Sequence, residues 1–111
     1  MWICFQPGLI SGHRNGKGLR DFTVPPAPTG SLDATLAATR LPLFALDLRS
    51  APTSGPVADW LRRPQKTRNI GAGYSEEAPT RYFSELNVAE NFDVLLFVEH
   101  TTAARKNPPL P

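Results

Sequence analysis

The sequence has little cysteine, few histidines and no long apolar run, and each shortage excludes a class of protein. Cys4 is the one cysteine among 111 residues, so no internal disulfide and no multi-cysteine zinc or redox motif can form. The two histidines, His13 and His100, lie too far apart for a paired-histidine zinc motif. No segment approaches the roughly 18 apolar residues of a membrane-spanning helix, and the N-terminus lacks the cationic start of a signal peptide. We therefore expect a cytoplasmic chain with no metal site, no cofactor and no membrane partner.

Proline and a small positive charge are what the composition does contain. The chain has 12 prolines, roughly twice the share expected from an average usage of about 5%. This favours short elements and extended connections over long helices. The net charge of +2 is too small to indicate a polyanionic partner by itself.

Residues 30–49 hold the strongest local pattern, a capped helix followed by an apolar strand. Ser31 is a good N-cap residue, and Asp33 places a negative charge in the first turn, near the positive end of the helix dipole. Leu32 and Leu36 share one face of the predicted helix. Pro42 then ends helical structure, and an apolar run without alternation follows. Such a run is typical of a strand buried on both faces of a parallel sheet.

Residues 93–99, DVLLFVE, predict a second strand of the same kind. Together with short helices between the strands, this indicates an α/β fold. We expect a partial, mostly parallel open sheet of two to four strands with short flanking helices. The two apolar strands need more cover than 111 residues supply, so we expect a fragment of a larger α/β domain.

Weaker patterns predict the remaining elements. Residues 19–24 predict a short strand, and residues 57–63 a short helix that ends before Pro64. We expect residues 65–68 to form a basic loop and residues 79–91 to hold another short helix, with Tyr82, Phe83 and Leu86 facing inward.

Motifs that carry chemistry are mostly missing. The nearest approach to a G-x-S-x-G nucleophile elbow is GYSEE at residues 73–77, where Glu77 replaces the second glycine. A run of four cations beside Trp60 could contact phosphates. We favour a helix end followed by a solvated loop, and expect no nucleic-acid partner. The four cations are Arg62, Arg63, Lys66 and Arg68.

Polar residues follow both apolar strands at their carboxyl ends. Asp47 and Arg49 end one strand, and Glu99 and His100 follow the other. Ligands in open α/β sheets bind beyond such ends, so parallel neighbouring strands would place all four residues on one rim. Glu99 and His100 are therefore candidate substrate-binding residues at the rim of a cleft. The competing interpretation is an ion pair or cap that only orients loops.

Five segments in succession resemble the C-terminal portion of the erythromycin esterase family: DFTVPPAPTGSLDATLA, LPLFALDLR, ADWLRRP, NIGAGY and FDVLLFVEHTTAAR. The resemblance divides the chain into a divergent or loose segment at residues 1–17, the family-like part at residues 18–105, and a disordered tail at residues 106–111.

The resemblance implies an α/β hydrolase-like enzyme that opens macrolide lactones, a carboxylic ester hydrolysis that confers antibiotic resistance. Histidine activates water in the family, without an obligatory metal, which suits a group that titrates near neutral pH. The family's histidine motifs lie upstream of the matching segments and do not occur in this sequence, so neither His13 nor His100 receives a catalytic role. We expect no catalytic residue and no activity in the chain alone.

Two partners follow from this interpretation: the missing N-terminal portion of the same enzyme, and a small-molecule ester bound only by the complete protein. The alternative is a small, basic, proline-rich binding or interaction module without catalysis. The sequence also leaves open an inactive remnant instead of a split subunit.

Overall fold

The computed structural model describes residues 2–5, 8–13, 19–71, 73–105 and 107–111, and the side chains from residue 20 onward within those ranges. These parts form seven strands and three α-helices. In chain order they are β1 (Trp2–Phe5), β2 (Gly8–His13), β3 (Leu19–Val24), α1 (Leu32–Ala37), β4 (Leu43–Asp47), α2 (Pro56–Arg62), β5 (Gln65–Arg68), β6 (Phe83–Leu86), α3 (Val88–Asn91) and β7 (Val94–Val98). The α/β class is confirmed. No described helix is long and apolar enough to cross a membrane.

The main sheet has the strand order β1–β7–β4. Its central strand β7 runs parallel to β1 and antiparallel to β4, with Leu43 opposite Val98 and Asp47 opposite Val94. Two further antiparallel ladders join β2 to β3 and β5 to β6. The expected mostly parallel sheet is therefore wrong, since β1–β7 is the one parallel pairing among the described strands. An unbroken apolar run favours a parallel strand covered on both faces but does not require one, and β4 runs antiparallel to its neighbour β7.

Helix α1 begins as the sequence predicts. The Ser31 hydroxyl accepts a hydrogen bond from the Ala34 N–H at 3.2 Å and donates one to the Pro28 carbonyl at 2.7 Å. Gly30 precedes this cap with φ of +91°, a conformation that favours glycine. Leu32 and Leu36 are both buried, as their spacing predicts.

The described side chains form two apolar clusters in the interior. The larger lies between one face of the main sheet and the helices, and comprises Leu32, Leu36, Leu48, Leu61, Val88, Leu95 and Phe97. The smaller packs around β3 and comprises Phe22, Val24 and Tyr74. Most of the fully buried apolar volume therefore rests on the inner side of β7 and on α1.

Strand β4 is far more exposed than predicted. Leu43 is 72% exposed and Leu46 is 37% exposed, because β4 lies at the edge of the described sheet. In β7, by contrast, buried Leu95 and Phe97 alternate with half-buried neighbours. Burial of the residues 43–46 strand on both faces is thus wrong for this chain.

Tertiary pairing overrides two other local predictions. Residues 65–68 form strand β5 and not a loop, because they pair with β6 over the register Gln65 to Leu86 and Arg68 to Phe83. Residues 79–91 do not form one helix; they divide into a 3-10 turn at Pro79–Tyr82, strand β6 and helix α3. The helix predicted at residues 57–63 is confirmed as α2, and the strand at residues 19–24 as β3.

Candidate functional site

Glu99 and His100 lie directly after the carboxyl end of β7. The Glu99 N–H donates to the Pro42 carbonyl at 2.9 Å, which fixes the chain just before β4 begins. The His100 Nε2 lies 3.8 Å from the Glu99 Oε1, and the two side chains are 70% and 40% exposed. A long contact between exposed charged groups is weak. The pair can offer a proton donor and an acceptor to a neighbouring molecule.

Asp47 and Arg49 lie at the opposite end of the sheet from Glu99 and His100. Because β4 runs antiparallel to β7, Asp47 pairs with Val94, four residues away from Val98. At a rise of roughly 3.3 Å per residue, this places the two ends about 13 Å apart. The shared rim expected from parallel strands is therefore wrong.

Asp47 and Arg49 instead form a local cap. The Arg49 Nε and Nη2 donate to the two carboxylate oxygens of Asp47 at 3.0 and 3.2 Å, and the Arg49 backbone N–H donates to Oδ1 at 3.0 Å. These bonds from the guanidinium and then from the backbone lower the pKa of Asp47. Asp47 thereby caps the N-terminus of the 3-10 turn that follows β4, so the role of this pair is structural.

The strongest polar cluster involves Asp33, which the sequence had indicated only as a helix-dipole residue. Asp33 is fully buried, and its Oδ2 accepts from the Thr67 hydroxyl at 3.2 Å and from the Arg68 backbone N–H at 3.0 Å. Burial raises the pKa of the Asp33 carboxyl, against the lowering effect of these hydrogen bonds. The available signal was the position of Asp33 three residues before Leu36, which places it beside the apolar face of α1.

Arg68 extends the same cluster. Its Nη2 donates to the Pro25 carbonyl at 2.7 Å, and its guanidinium lies 5.2 Å from the centre of the Phe83 ring. Burial lowers the pKa of Arg68, and the negative charge of Asp33 opposes that shift. Three distant parts of the chain, α1, β5 and the connection after β3, are thereby joined by polar contacts.

The four cations from Arg62 to Arg68 do not form one basic patch. Arg68 is buried, whereas Arg62 lies 3.4 Å from Asp59 and donates to the Thr53 carbonyl at 2.6 Å. Arg63 and Lys66 are exposed. This separation favours the interpretation of a helix end and a structural strand.

Tyr74 places a hydroxyl in the smaller cluster. Its ring lies 5.8 Å from that of Phe22 in an edge-on arrangement and 4.7 Å from that of Tyr82. Burial raises the pKa of Tyr74. Its buried hydroxyl has no hydrogen-bond partner within the part of the chain that the structure describes.

A polar and an apolar cavity on the described surface could each accept a small molecule. The polar one, of about 120 Å³, lies between β3 and the 75–77 segment, where Glu76 accepts from the Thr23 N–H at 2.7 Å. The apolar one, of about 240 Å³, lies between the end of β4 and α2, against Leu46, Val57 and Trp60. Neither is lined by Glu99 or His100. Among the described residues, no group of three or more His, Cys, Asp or Glu side chains could hold a metal ion.

Solved structures show that this fold occurs within larger proteins. A Bacillus cereus protein superposes with a TM-score of 0.75 and 15% identity, over 90% of this chain and 24% of its own. A succinoglycan biosynthesis protein superposes with a TM-score of 0.71 and 18% identity, over 90% of this chain and 23% of its own. The chain thus spans about a quarter of the length of these structures. Identities this low support the fold alone.

Sequence comparison identifies the family. No curated protein matches the chain. The sequence pattern of the family described as erythromycin esterase, however, matches residues 3–101 of the 111. Since that match covers most of the sequence, the chain belongs to the erythromycin esterase family.

Proposed function

We propose that the chain is the C-terminal segment of an erythromycin-esterase-like hydrolase and that it is inactive alone. The observation that carries this proposal is a family match over residues 3–101 in a chain that spans only about a quarter of the structures sharing its fold. In this role the chain supplies strands, packing helices and one wall of the cleft. The complete enzyme hydrolyses a carboxylic ester, with a macrolide lactone as the first candidate substrate, which would confer antibiotic resistance.

The predicted inactivity follows from the histidines. The sequence contains His13 and His100, and neither lies in a histidine motif of the family. Loss of a positioned general base costs roughly 10²- to 10⁴-fold in rate. Here the rest of the cleft would be missing as well, so an ester would be neither held nor attacked.

Glu99 and His100 remain our candidates for the rim of the cleft in the complete enzyme. Both are accessible, and both lie beyond the carboxyl ends of β7 and of its parallel neighbour β1. In a complete enzyme, His100→Ala should raise KM for the ester and leave kcat nearly unchanged. An unchanged KM would remove His100 from the site.

The activity test compares two proteins. The purified chain should give no hydrolysis of erythromycin or of a simple aryl ester above buffer. A linked protein, in which the N-terminal region of a family member precedes residue 1, should hydrolyse one of them. A version of the linked protein with the upstream catalytic histidine replaced by alanine is the control. Hydrolysis by the chain alone would overturn the proposal.

The alternative of a basic interaction module makes a different prediction. A module that binds polyanions should be retained on heparin in a salt-dependent way. The separation of Arg62 from buried Arg68 argues against such a surface. We expect elution at low salt.

A further inference from the structure

We infer that the outer face of the main sheet is the docking surface for an apolar helix from the part of an erythromycin esterase domain that lies outside these 111 residues. This inference rests on the proposed function. The outer face is defined as Leu43 and Ala45 of β4 together with Val94, Leu96 and Val98 of β7.

The register separates the two faces of the sheet. Residues directly opposite one another in a ladder point to the same side, and neighbours along a strand point to opposite sides. Phe44 and Leu46 therefore share the inner side with Phe97 and Leu95. The remaining pairs, Leu43 with Val98 and Ala45 with Leu96, lie on the outer side.

The inner side is largely covered by this chain, and Leu46 at its edge is 37% exposed. Leu95 and Phe97 are fully buried, and the rings of Phe44 and Phe97 lie 5.2 Å apart. Leu32 and Leu36 of α1 belong to the same cluster.

The outer face is apolar but incompletely covered by the described residues. Leu43 is 72% exposed, Ala45 is exposed, and the three β7 residues are half-buried. Asp47 is the one charged residue of β4 on this side, at its far end. A contiguous apolar sheet face of this kind in a soluble protein marks an interaction site.

The length of the related structures indicates the occupant. The fold of this chain accounts for 24% and 23% of two larger chains, so about three quarters of each lies outside the shared unit. β7 pairs in parallel with β1, and parallel strands in α/β folds are covered by helices on both faces. In this chain α1 covers one face. An apolar helix from the rest of the domain would pack on the outer face in the same way.

The test titrates the full chain into a purified N-terminal polypeptide of a family member, ending where its sequence aligns with residue 2. Calorimetry compares wild type with Leu43→Asp, and with Leu110→Asp as the matched control. Leu110 is 94% exposed in the tail, so both variants place the same charge on an accessible leucine. Far-UV circular dichroism checks that each variant keeps its fold.

Wild type and Leu110→Asp should bind one to one with equal Kd, and Leu43→Asp should bind at least tenfold more weakly. The same substitutions in the linked protein should lower Tm only for Leu43→Asp. Equal binding by Leu43→Asp would overturn the inference, as would no binding of wild type at 100-fold excess of either component. Dimerisation of the chain that Leu43→Asp abolishes would also overturn it, in favour of a second copy.

The outcomes separate the two proposals. If the linked protein hydrolyses an ester and Leu43→Asp changes neither Kd nor Tm, the docking surface is wrong and the proposed function stands. If Leu43→Asp weakens binding but the linked protein is inactive, the docking surface stands and the proposed function fails.

Discussion

Asp33 has two roles, one in its own helix and one in contacts with a distant strand. Its position in the first turn of α1 suits the helix dipole, yet its carboxylate is withdrawn from water and binds Thr67 and the Arg68 N–H, 34 and 35 residues away. Desolvation makes the ionised form costly, and the hydrogen bonds offset only part of that cost. The carboxylate therefore positions β5 against α1 at some expense in stability near neutral pH.

The raised pKa of Asp33 predicts a pH dependence of stability. The ordinary pKa of an aspartate is 3.8, and in the folded chain the Asp33 carboxyl keeps its proton to a higher pH. The stability contributed by the protonated carboxyl is thus full below pH 3.8 and is lost as the pH rises through the raised pKa. We expect wild type to lose stability relative to Asp33→Asn over this range. Urea unfolding followed by tryptophan fluorescence measures the difference, with exposed Asp59→Asn as the control. A difference that does not change with pH would contradict the expectation.

Removing the Tyr74 hydroxyl should not lower the free energy of unfolding, although deleting a buried polar group usually does. Its hydroxyl is desolvated without a hydrogen-bond partner in the described chain, so the folded state gains little from it. Tyr74→Phe keeps the ring contacts with Phe22 and Tyr82 and should leave the free energy of unfolding unchanged within about 0.5 kcal/mol, or raise it. Urea unfolding of the two proteins decides this. A loss above about 1 kcal/mol would show that the hydroxyl has a partner.

At the scale of the element, α1 depends on its N-cap residue, Ser31. Ser31 caps the helix and is 1% exposed, and its hydroxyl also holds the Pro28 carbonyl. Ser31→Ala should cost about 1–2 kcal/mol, since it removes the cap and leaves that carbonyl with one fewer donor. Ser50→Ala removes an exposed hydroxyl bond to the Asp47 carbonyl and should cost far less. Equal losses in the two variants would show that the cap contributes no more than a surface contact.

Elements with strong local signals could be predicted, whereas those formed by long-range pairing could not. The cap at Ser31 and the strand predicted at residues 93–99 have local signals, and both elements are confirmed, although β7 is fully buried on one face only. Residues 65–68 have no strand signal, because this strand forms by pairing with residues 83–86 and its buried Thr67 donates to Asp33, 34 residues away. Strand direction in the main sheet was missed for a similar reason, since it depends on how the chain connects β4 to β7.

In the candidate site, too, local features could be predicted and long-range contacts could not. Glu99 and His100 could be located at the end of a strand from sequence alone. Their distance from Asp47 could not, because it follows from the antiparallel register. The polar contacts of Asp33 join residues about 35 positions apart, and only the folded chain brings them together.

For the molecule as a whole, one apolar cluster holds the sheet and all three helices together, so its centre should control global stability. Phe97 is fully buried there against Phe44, Leu32 and neighbouring side chains. Phe97→Ala should cost about 3–5 kcal/mol. Domains of this size have a total stability of roughly 5–15 kcal/mol, so the variant should be largely unfolded at modest urea concentrations.

Leu43→Ala, in the neighbouring strand but 72% exposed, should change stability by about 0.5 kcal/mol or less. Urea titrations monitored by circular dichroism measure both. Similar losses for the two variants would mean that the outer face is already covered within the chain, and the inferred docking surface would fail with that result.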